Sequence, residues 1–302
     1  MALAFHRIAL LVKPSERDVA PLEALMTLLI ELGAQVRVCE NSARLLKGRP
    51  FAREGYSRLA LGAWAELAIV LGGDGSLLGV ARHLGHNVPI IGVNTGRLGF
   101  ITDVVLEDMA EVLPKVLAGE FTRDARALLE GDIVRSGEIV YHDIAVNDIG
   151  ITHGRVGGMV EFVLYVNGQP MSSQMADGII CASPTGSTAY SLASGGPIMH
   201  PSLSGICLVP VAPHTLSSRP IVLPGDAQIE IEVIHVRDAV AYWDMQEFFD
   251  VQAGDRLRIR SSQRQLILLH PEGYDYYGLL RQKLKWNFMP ISEHTGDPSL
   301  PA

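Results

Sequence analysis

The sequence predicts a protein of class α/β plus all-β, and its length and hydrophobic pattern support that prediction. The first third alternates short apolar runs with segments of helical periodicity. Beyond about residue 120 the pattern changes to short β-rich runs separated by turn signals such as Asn167-Gly168. At 302 residues, 48% of them hydrophobic, the chain is long enough to build two cores.

These patterns divide the chain into three parts. Residues 1–120 predict an N-terminal Rossmann-like domain with an open, mostly parallel sheet. Residues 121–270 predict a β-rich, sandwich-like C-terminal domain of largely antiparallel strands. Residues 271–302 are expected to return to the first domain, because leucines at helical spacing occur in 276–286.

The elements follow from periodicity. A helix is expected from Pro21 to Leu32, where apolar residues recur at helical spacing, and Gly33 ends it. Strands of the first domain are predicted at 8–12, 36–39, 67–71 and 88–93. Strands of the second domain are predicted at 128–134, 138–145, 159–166, 178–182, 228–234, 240–243, 255–259 and 265–269.

Composition excludes several classes of protein. A net charge of -8 argues against nonspecific binding to nucleic acid or anionic membranes. Three widely spaced cysteines in apolar surroundings predict buried thiols and a reducing compartment. The short apolar run at the N-terminus lacks a cleavage site, and prolines interrupt the uncharged stretch 178–218. We therefore expect a soluble, cytoplasmic protein that neither spans nor binds a membrane.

The segment Gly72-Gly73-Asp74-Gly75-Ser76 directly follows a predicted apolar strand. Glycines at such a turn let the backbone approach phosphate oxygens, and a following helix offers free amides to an anion. The spacing fits neither the dinucleotide fingerprint nor the P-loop. Asp74 would repel phosphates unless it takes a proton or faces a metal. The alternative is an aspartate that only shapes the turn or caps the helix.

Two further motifs have both a functional and a structural interpretation. Asn94-Thr95-Gly96-Arg97-Leu98-Gly99-Phe100 follows the fourth strand at the same sheet edge, where Arg97 would pair with phosphate or lie on the surface. Asn147-Asp148 lies between apolar residues, where an Asn-Asp pair is poor strand material. It is interpreted as a fork for sugar hydroxyls or as a bulge or turn.

The strongest local signal is a hydroxyl-rich loop. Residues 178–218 contain no Asp, Glu, Lys or Arg, and they include Ser183-Pro184-Thr185-Gly186-Ser187-Thr188-Ala189-Tyr190-Ser191, with Asp177-Gly178 upstream. Small hydroxyls beside a glycine and a tyrosine suit hydrogen bonding to an amide, a ribose or a phosphate. A plain Ser/Thr-rich loop is the alternative. No His/Cys/acid cluster has metal-site spacing, and no nucleophile elbow occurs.

Taken together, these motifs resemble those of the bacterial NAD kinase family in order and spacing, and the resemblance spans nearly the whole chain. Pro213-His214-Thr215-Leu216-Ser217-Ser218-Arg219-Pro220 and His270-Pro271 extend it. The glycine-aspartate motif alone would be insufficient, since phosphofructokinases and lipid kinases share it. The resemblance implies an α/β domain, a β-rich domain, NAD bound between them, and a homodimer or homotetramer.

The resemblance also implies an activity: Asp74 takes the proton from the adenosine ribose 2′-hydroxyl of NAD as that oxygen attacks the terminal phosphate of ATP or polyphosphate. This role agrees with the general needs of phosphoryl transfer, an oriented nucleophile and a cation to spread charge. Mg²⁺ or another divalent cation is implied, with no metal-ligating residue predicted.

A second set of residues would bind the dinucleotide by the same resemblance. Asn147 and Asp148 would hold it, Asp177 would face the nicotinamide side, and Gln246 would complete the site. The full set is Gly75, Asn147, Asp148, Asp177, Thr188, Ala189, Tyr190, Ser191, Leu192, Ala193 and Gln246.

Four positions depart from the family pattern. Asp148 stands where Glu is usual, Gly158 and Met175 stand where relatives often carry a basic or polar residue, and Met245 replaces a small residue. These changes bear on NAD affinity or on the preference for NAD over NADH. Two other functions remain possible from sequence: a sugar or lipid kinase with the same turn, or a dinucleotide-binding regulator without turnover.

Overall fold

The computed structural model describes residues 3–13, 17–85, 88–96, 99–154 and 157–286. Within this part of the chain the N-terminal elements alternate as predicted. They are β1 (Arg7–Val12), α1 (Ala20–Glu31), β2 (Gln35–Cys39), α2 (Glu40–Leu45), β3 (Gly55–Tyr56), α3 (Arg58–Trp64), β4 (Leu67–Leu71), α4 (Asp74–His83), β5 (Ile90–Asn94), β6 (Val104–Val105) and α5 (Met109–Ala118).

The second half of the described chain is mostly strand. Its elements are β7 (Phe121–Arg135), β8 (Glu138–Ala145), β9 (Asp148–His153), β10 (Val160–Val166), β11 (Gln169–Ala176), β12 (Gly178–Ala182), α6 (Tyr190–Ala193), β13 (Gly205–Val211), β14 (Ile221–Pro224), β15 (Ile229–His235), β16 (Ala239–Trp243), β17 (Glu247–Val251), β18 (Arg256–Pro271) and α7 (Tyr276–Leu284).

The N-terminal strands form the predicted open parallel sheet, in the order β3-β2-β1-β4-β5 with β6 beside β5. β1 and β4 are buried along nearly their whole length, because helices cover both faces of the sheet. Helices α1 and α5 pack on one face, and α3 and α4 on the other. The carboxyl ends of these strands therefore form one edge, from which α4 begins at Asp74.

The C-terminal strands form two sheets that pack face to face, which confirms the sandwich-like prediction. The smaller sheet has the order β14-β13-β12-β9-β16-β17, with antiparallel pairs throughout. Its inner face meets β7, β10, β15 and β18 around the buried Phe162 and Trp243. Its outer face is covered as well, because Met199 and Tyr190 pack over Ile180 and Val209.

One strand joins the two parts of the molecule. β18 pairs with β7 along its length, with β15 at residues 256–259, and with β5 at Leu268. Two separate strands were predicted at 255–259 and 265–269, and this is wrong: one strand runs through both, with a register shift between Ser261 and Gln265. The larger sheet is consequently continuous across both halves of the chain. The domain limits at 120 and 270 stay a prediction.

Candidate functional site

Asp74 lies where the strand β4 gives way to helix α4, and its side chain faces a neighbouring loop. Its carboxylate does not cap α4; Gly73 is the N-cap residue. Instead it accepts hydrogen bonds from the Phe100 amide at 2.7 Å, the Ile101 amide at 3.2 Å and the Thr102 hydroxyl at 2.8 Å. The residue as a whole is half-buried. Three donors thus fix the orientation of its carboxylate.

The loop after β5 is built to bring those donors to Asp74. A Cβ at Gly99 would overlap Asp74 Oδ1, so glycine allows the close approach. The buried Asn94 donates from Nδ2 to the Thr102 hydroxyl at 2.8 Å and accepts from the Gly96 amide at 2.8 Å. Arg97, predicted as a phosphate contact or a surface residue, lies outside the described residues.

The Asn147-Asp148 pair is held in place by the acid Asp244. Asp244 accepts from the backbone amides of Val146 at 3.0 Å, Asn147 at 2.7 Å and Asp148 at 3.2 Å. Asp244 and Met245 both have left-handed backbone, with φ of 54° and 52°, which turns the chain back toward α4. Asp148 begins β9, so the interpretation of the pair as a bulge or turn is wrong for this residue.

The side chain of Asp148 is buried rather than open. It is 2% exposed, and its Oδ1 atom has no hydrogen-bond partner. Burial raises the pKa of Asp148 to about 8, and the nearby Asp244 adds to the rise. Burial raises the pKa of the Tyr242 phenol, and the nearby Asp148 raises it further. The phenol oxygen is also buried without a hydrogen-bond partner. Asp148 is therefore mainly protonated at neutral pH.

The hydroxyl-rich loop packs directly on Asn147. The Ser183 hydroxyl donates to the Val146 carbonyl at 2.6 Å, and the Ser183 amide donates to the Asn147 carbonyl at 2.8 Å. A Cβ at Gly186 would overlap the same Asn147 carbonyl. Several of the loop's hydroxyls are thus used inside the fold, since the Ser187 hydroxyl accepts from the Met199 amide at 2.9 Å.

The residues that follow in the loop include the predicted contacts 188–193. Thr188, Ala189 and Tyr190 are half-buried, whereas Ala193 is exposed. Ser191 is fully buried, and its hydroxyl has no partner. Tyr190 packs edge-on against Tyr242, with ring centroids 6.4 Å apart. This segment therefore covers the end of β9 where Asp148 lies.

Gln246 ties this region to α4. Its Nε2 donates to the Gly75 carbonyl at 2.7 Å, and its Oε1 accepts from Arg82 Nη2 at 3.1 Å. Asp74, Gly75, Asn147, Asp148, Gln246 and the hydroxyl-rich loop are thereby brought together. Asp177 is not among them, because it lies before Gly178 at the opposite end of β12 from Ser183.

Arg82 is a residue that sequence reasoning missed. It is 4% exposed on α4, and it lies 3.7 Å from Asp143, 3.9 Å from Asp244 and 3.4 Å from Glu247. It also donates to the Trp243 carbonyl at 3.4 Å. The acids that pair with a buried arginine cannot be read from the local sequence. The position of Arg82 among the apolar residues of a predicted helix could, however, have indicated that it is buried and paired.

Two cavities formed by the described residues lie outside the Asp74 turn, and only one of the two lies at the same sheet edge as Asp74. A cavity of about 720 Å³ lies on the outer face of β15 and β18. Its arginines Arg256, Arg258 and Arg260 are all paired with acids. A second cavity, of about 440 Å³, lies beside the carboxyl ends of β1 to β3, at the sheet edge that also carries Asp74 and where open α/β folds place ligands.

An α/β sheet joined to a β-sandwich, with a carboxylate at a Gly-Gly-Asp turn and a second loop facing it, defines a phosphotransferase. Family models described as ATP-NAD kinase N-terminal domain and ATP-NAD kinase C-terminal domain match residues 39–121 and 146–270, more than half of the chain. The chain belongs to the NAD kinase family.

Curated relatives and solved structures agree with this family. The chain is 45% identical over 298 residues to the NAD kinase of Burkholderia pseudomallei, covering 97% of this chain and 98% of that one. It is 46% identical over 295 residues to the NAD kinase of Cupriavidus pinatubonensis, covering 96% and 95%.

Two solved structures share the fold at lower identity. Yeast NADH kinase complexed with NADH has a TM-score of 0.85 at 23% identity, covering 94% of this chain and 89% of that one. An NAD kinase from Archaeoglobus fulgidus in complex with ATP has a TM-score of 0.72 at 24% identity, covering 92% and 98%. Within the part of the chain that the structure describes, none of the helices combines the length and the hydropathy that a membrane span requires.

The buried Asp148 predicts a pH-dependent stability. A folded-state pKa of about 8 lies above the ordinary value of 3.8, so the contribution of Asp148 to stability is complete below pH 3.8 and is lost as pH rises through 8. We expect Asp148→Asn to gain thermal stability relative to the wild type as the pH is raised from 5 to 9. Melting temperatures across that range measure it, with exposed Asp226→Asn as the control. A stability difference that does not change with pH would contradict the prediction.

Proposed function

We propose that Asp74 is the general base that takes the proton from the 2′-hydroxyl of the adenosine ribose of NAD. The observation that supports this most is the orientation of its carboxylate by Phe100, Ile101 and Thr102 beside the glycine turn. Each carboxylate oxygen has two acceptor positions, and Oδ2 uses one of them. In phosphoryl transfer the protein mainly positions the reacting groups and stabilises the charge that develops.

The dinucleotide is proposed to lie across the small sheet, from the Asp74 turn toward Asp177. Asn147, Asp148 and Gln246 hold the adenosine end, and residues 188–193 line the site. The protonated Asp148 carboxyl donates a hydrogen bond, which its unpartnered burial supports. Asp177 takes the nicotinamide end, because the five residues of β12 lie between it and Ser183, and six residue steps of strand span roughly 20 Å.

A divalent cation such as Mg²⁺ would be held mainly by donor phosphates. The described residues contain no group of three or more His, Cys, Asp or Glu side chains suited to a metal ion. Mg²⁺ usually keeps several waters and binds substrate phosphates rather than a dedicated set of protein ligands, so Asp74 stays free to act as the base. When bound, the cation would spread the charge of the transferred phosphoryl group.

The cavity of about 440 Å³ is proposed to hold the base and ribose of ATP. It is lined by Tyr56 together with the polar side chains of Glu40, Asn41, Ser57 and Arg58. The aromatic ring of Tyr56, with the amide of Asn41 and the hydroxyl of Ser57, suits a nucleoside better than an inorganic chain of phosphates, and the lining includes an acid as well as a base, Glu40 and Arg58. The proposal therefore favours ATP over polyphosphate as the phosphate donor.

Filling this cavity tests the choice of donor. We expect Asn41→Trp to raise the KM for ATP about 10-fold or more. An oversized side chain in a packed pocket costs about 1–3 kcal/mol, and about 1.4 kcal/mol corresponds to a tenfold change in affinity. The KM for NAD and, where polyphosphate is used, the KM for polyphosphate should not change. Asn41→Ala keeps the cavity open and serves as the matched control. Equal increases in KM for both donors would contradict the assignment.

Further properties are proposed from the departures and the surface. Met175 is 45% exposed on β11, and a Cβ at Gly158 would meet no atom within 4 Å. Because methionine and glycine have no charged side chain, neither position supplies a charged contact to a cofactor. We expect them to affect the preference between NAD and NADH.

A cytoplasmic homodimer or homotetramer fits the three free, buried cysteines and the exposed Ile139 beside the paired arginines of β18.

The direct test is a coupled assay for NADP formed from NAD, Mg²⁺ and ATP, with polyphosphate and NADH in parallel. Activity with ATP and NAD is the expected result. Measurable NAD binding without NADP formation would refute the proposed catalysis and favour a regulator that retains the dinucleotide site.

A further inference from the structure

Two loops that frame the proposed reaction come from distant parts of the chain and meet at one point. Phe100 and Ile101, whose amides hold Asp74, line a small void of about 10 Å³ together with Pro184, Thr185 and Thr188 of the hydroxyl-rich loop. Arg126, Pro201 and Tyr276 complete the lining. The separation of these loops therefore sets the distance between the base and the ligand held on the other side.

A line of buried polar contacts runs behind this junction. Asp103 follows Thr102, the third donor to Asp74, and lies 2.9 Å from His270 Nδ1. His270 Nε2 lies 3.2 Å from Asp124, which pairs with Arg126 at 2.6 Å. Arg126 Nη1 donates to the Thr185 hydroxyl at 3.3 Å. Thus the Asp74 loop and the hydroxyl-rich loop are linked through His270, which is 1% exposed.

The imidazole of His270 meets a carboxylate at each nitrogen. A neutral imidazole has one N–H group and donates to one of them, whereas the imidazolium donates to both. With Asp103 and Asp124 ionised and Arg126 positive, the imidazolium also balances the charge of the cluster. The ring is further fixed by stacking on Tyr274, with centroids 3.8 Å apart and planes 9° from parallel.

We propose that His270 is a positioning residue for phosphoryl transfer: by donating from both ring nitrogens to Asp103 and Asp124, it fixes the spacing between Asp74 and the ligand-binding loop that contains Thr185. It touches neither substrate. This inference rests on the proposed function, since it assumes that the base and the acceptor hydroxyl come from those two sides.

The arrangement gives the sign of a pH dependence. Burial lowers the pKa of His270, but hydrogen bonds and charge from Asp103 and Asp124 outweigh it and raise the pKa above its ordinary value of 6.5. The other groups facing the ring are Arg126, through Asp124, and Tyr274. The two-sided bridge is therefore complete below pH 6.5 and is lost as pH rises through the raised pKa. Turnover should fall on the alkaline side of the profile.

Removing one of the two acids tests the proposal. Asp103→Asn keeps an acceptor oxygen for Nδ1 but removes a charge that raises the pKa of His270. We expect the alkaline limb of the kcat profile to move to lower pH, with little change in kcat below pH 6.5. Asp108→Asn, the same change at an exposed acid nearby, is the control and should leave the limb in place.

Two further measurements separate positioning from simple stabilisation. NMR titration of the His270 ring in the protein without substrates should show its midpoint lowered in Asp103→Asn, whether or not the enzyme turns over. His270→Gln, which retains one donor, should lower kcat about 10-fold while the KM for NAD changes less, as expected for misplacement of reacting groups.

The outcomes are distinct. If the limb of Asp103→Asn coincides with those of the wild type and Asp108→Asn, the proposal is wrong. If His270→Gln fails to fold, the comparison of Asp103→Asn with Asp108→Asn still decides it. If the wild type forms no NADP, the proposed function fails, and the NMR midpoints alone test whether Asp103 sets the charge of His270.

Discussion

Asp74→Asn is expected to retain NAD binding and to lose about 10²- to 10⁴-fold in kcat, the range that general-base catalysis contributes. The amide has the shape of the carboxylate but cannot accept the ribose proton. It also replaces one acceptor oxygen with an NH₂ group, so one of the donors from Phe100, Ile101 and Thr102 loses its partner. Steady-state kinetics measure kcat, and calorimetric titration measures NAD binding.

The lost hydrogen bond and the lost base have to be separated. Thr102→Val removes one donor to Asp74 while leaving the carboxylate, so it serves as the control for loop disorder. We expect Thr102→Val to lose much less turnover than Asp74→Asn. Unchanged turnover in Asp74→Asn would refute the general-base role, and equal losses in both variants would assign the effect to the loop.

Arg82→Ala is expected to destabilise the protein by about 3–5 kcal/mol, the usual cost of removing one partner from a buried ion pair. Arg82 lies among Asp143, Asp244 and Glu247, and it holds the Gln246 amide in place. Burial already raises the pKa of Asp244, with the amides of residues 146–148 and the charge of Arg82 opposing that rise. Removing the Arg82 side chain leaves the buried Asp244 without a neighbouring cation. Denaturant unfolding measures the change in free energy.

The matched control is Arg258→Ala on the outer face of β18. Arg258 is 50% exposed and pairs with Glu230 at 2.7 Å, and such surface pairs contribute about 0–1 kcal/mol. We also expect turnover to fall in Arg82→Ala, because Gln246 connects the Asp244 turn to Gly75. Comparable stabilities for the two variants would show that Arg82 is not a structural tie between α4 and the sandwich.

Much of the secondary structure could be predicted because its hydrophobic pattern is local. The predicted strand at residues 67–71 coincides with β4, and the predicted helix from Pro21 to Leu32 overlaps α1 almost completely. The strand β14 was not predicted, since its residues Ile221 and Val222 are exposed at a sheet edge and leave no alternating pattern. The continuity of β18 was also missed, because polar residues at 261–265 resemble a turn.

The candidate site was predicted as motifs, but its connections were not. The glycine turn, the Asn94 motif and the hydroxyl-rich loop each contain glycines where backbone approaches another group, and Gly99 and Gly186 show the reason. Arg82, Asp244 and His270 form hydrogen bonds and ion pairs with residues between 61 and 167 positions away, as in the pairs Arg82–Asp143 and His270–Asp103. Such pairings leave no mark on a single sequence.

The sequence by itself determined the class of fold, the order of the motifs and the chemistry that they resemble, because periodicity and turn residues are properties of neighbouring positions. The tertiary structure decided that Asp148 is buried and that Asp74 faces the loop at 99–102. It also decided that His270 lies between two acids. The physical reason is that burial and charge pairing depend on which distant strands and loops the fold brings together.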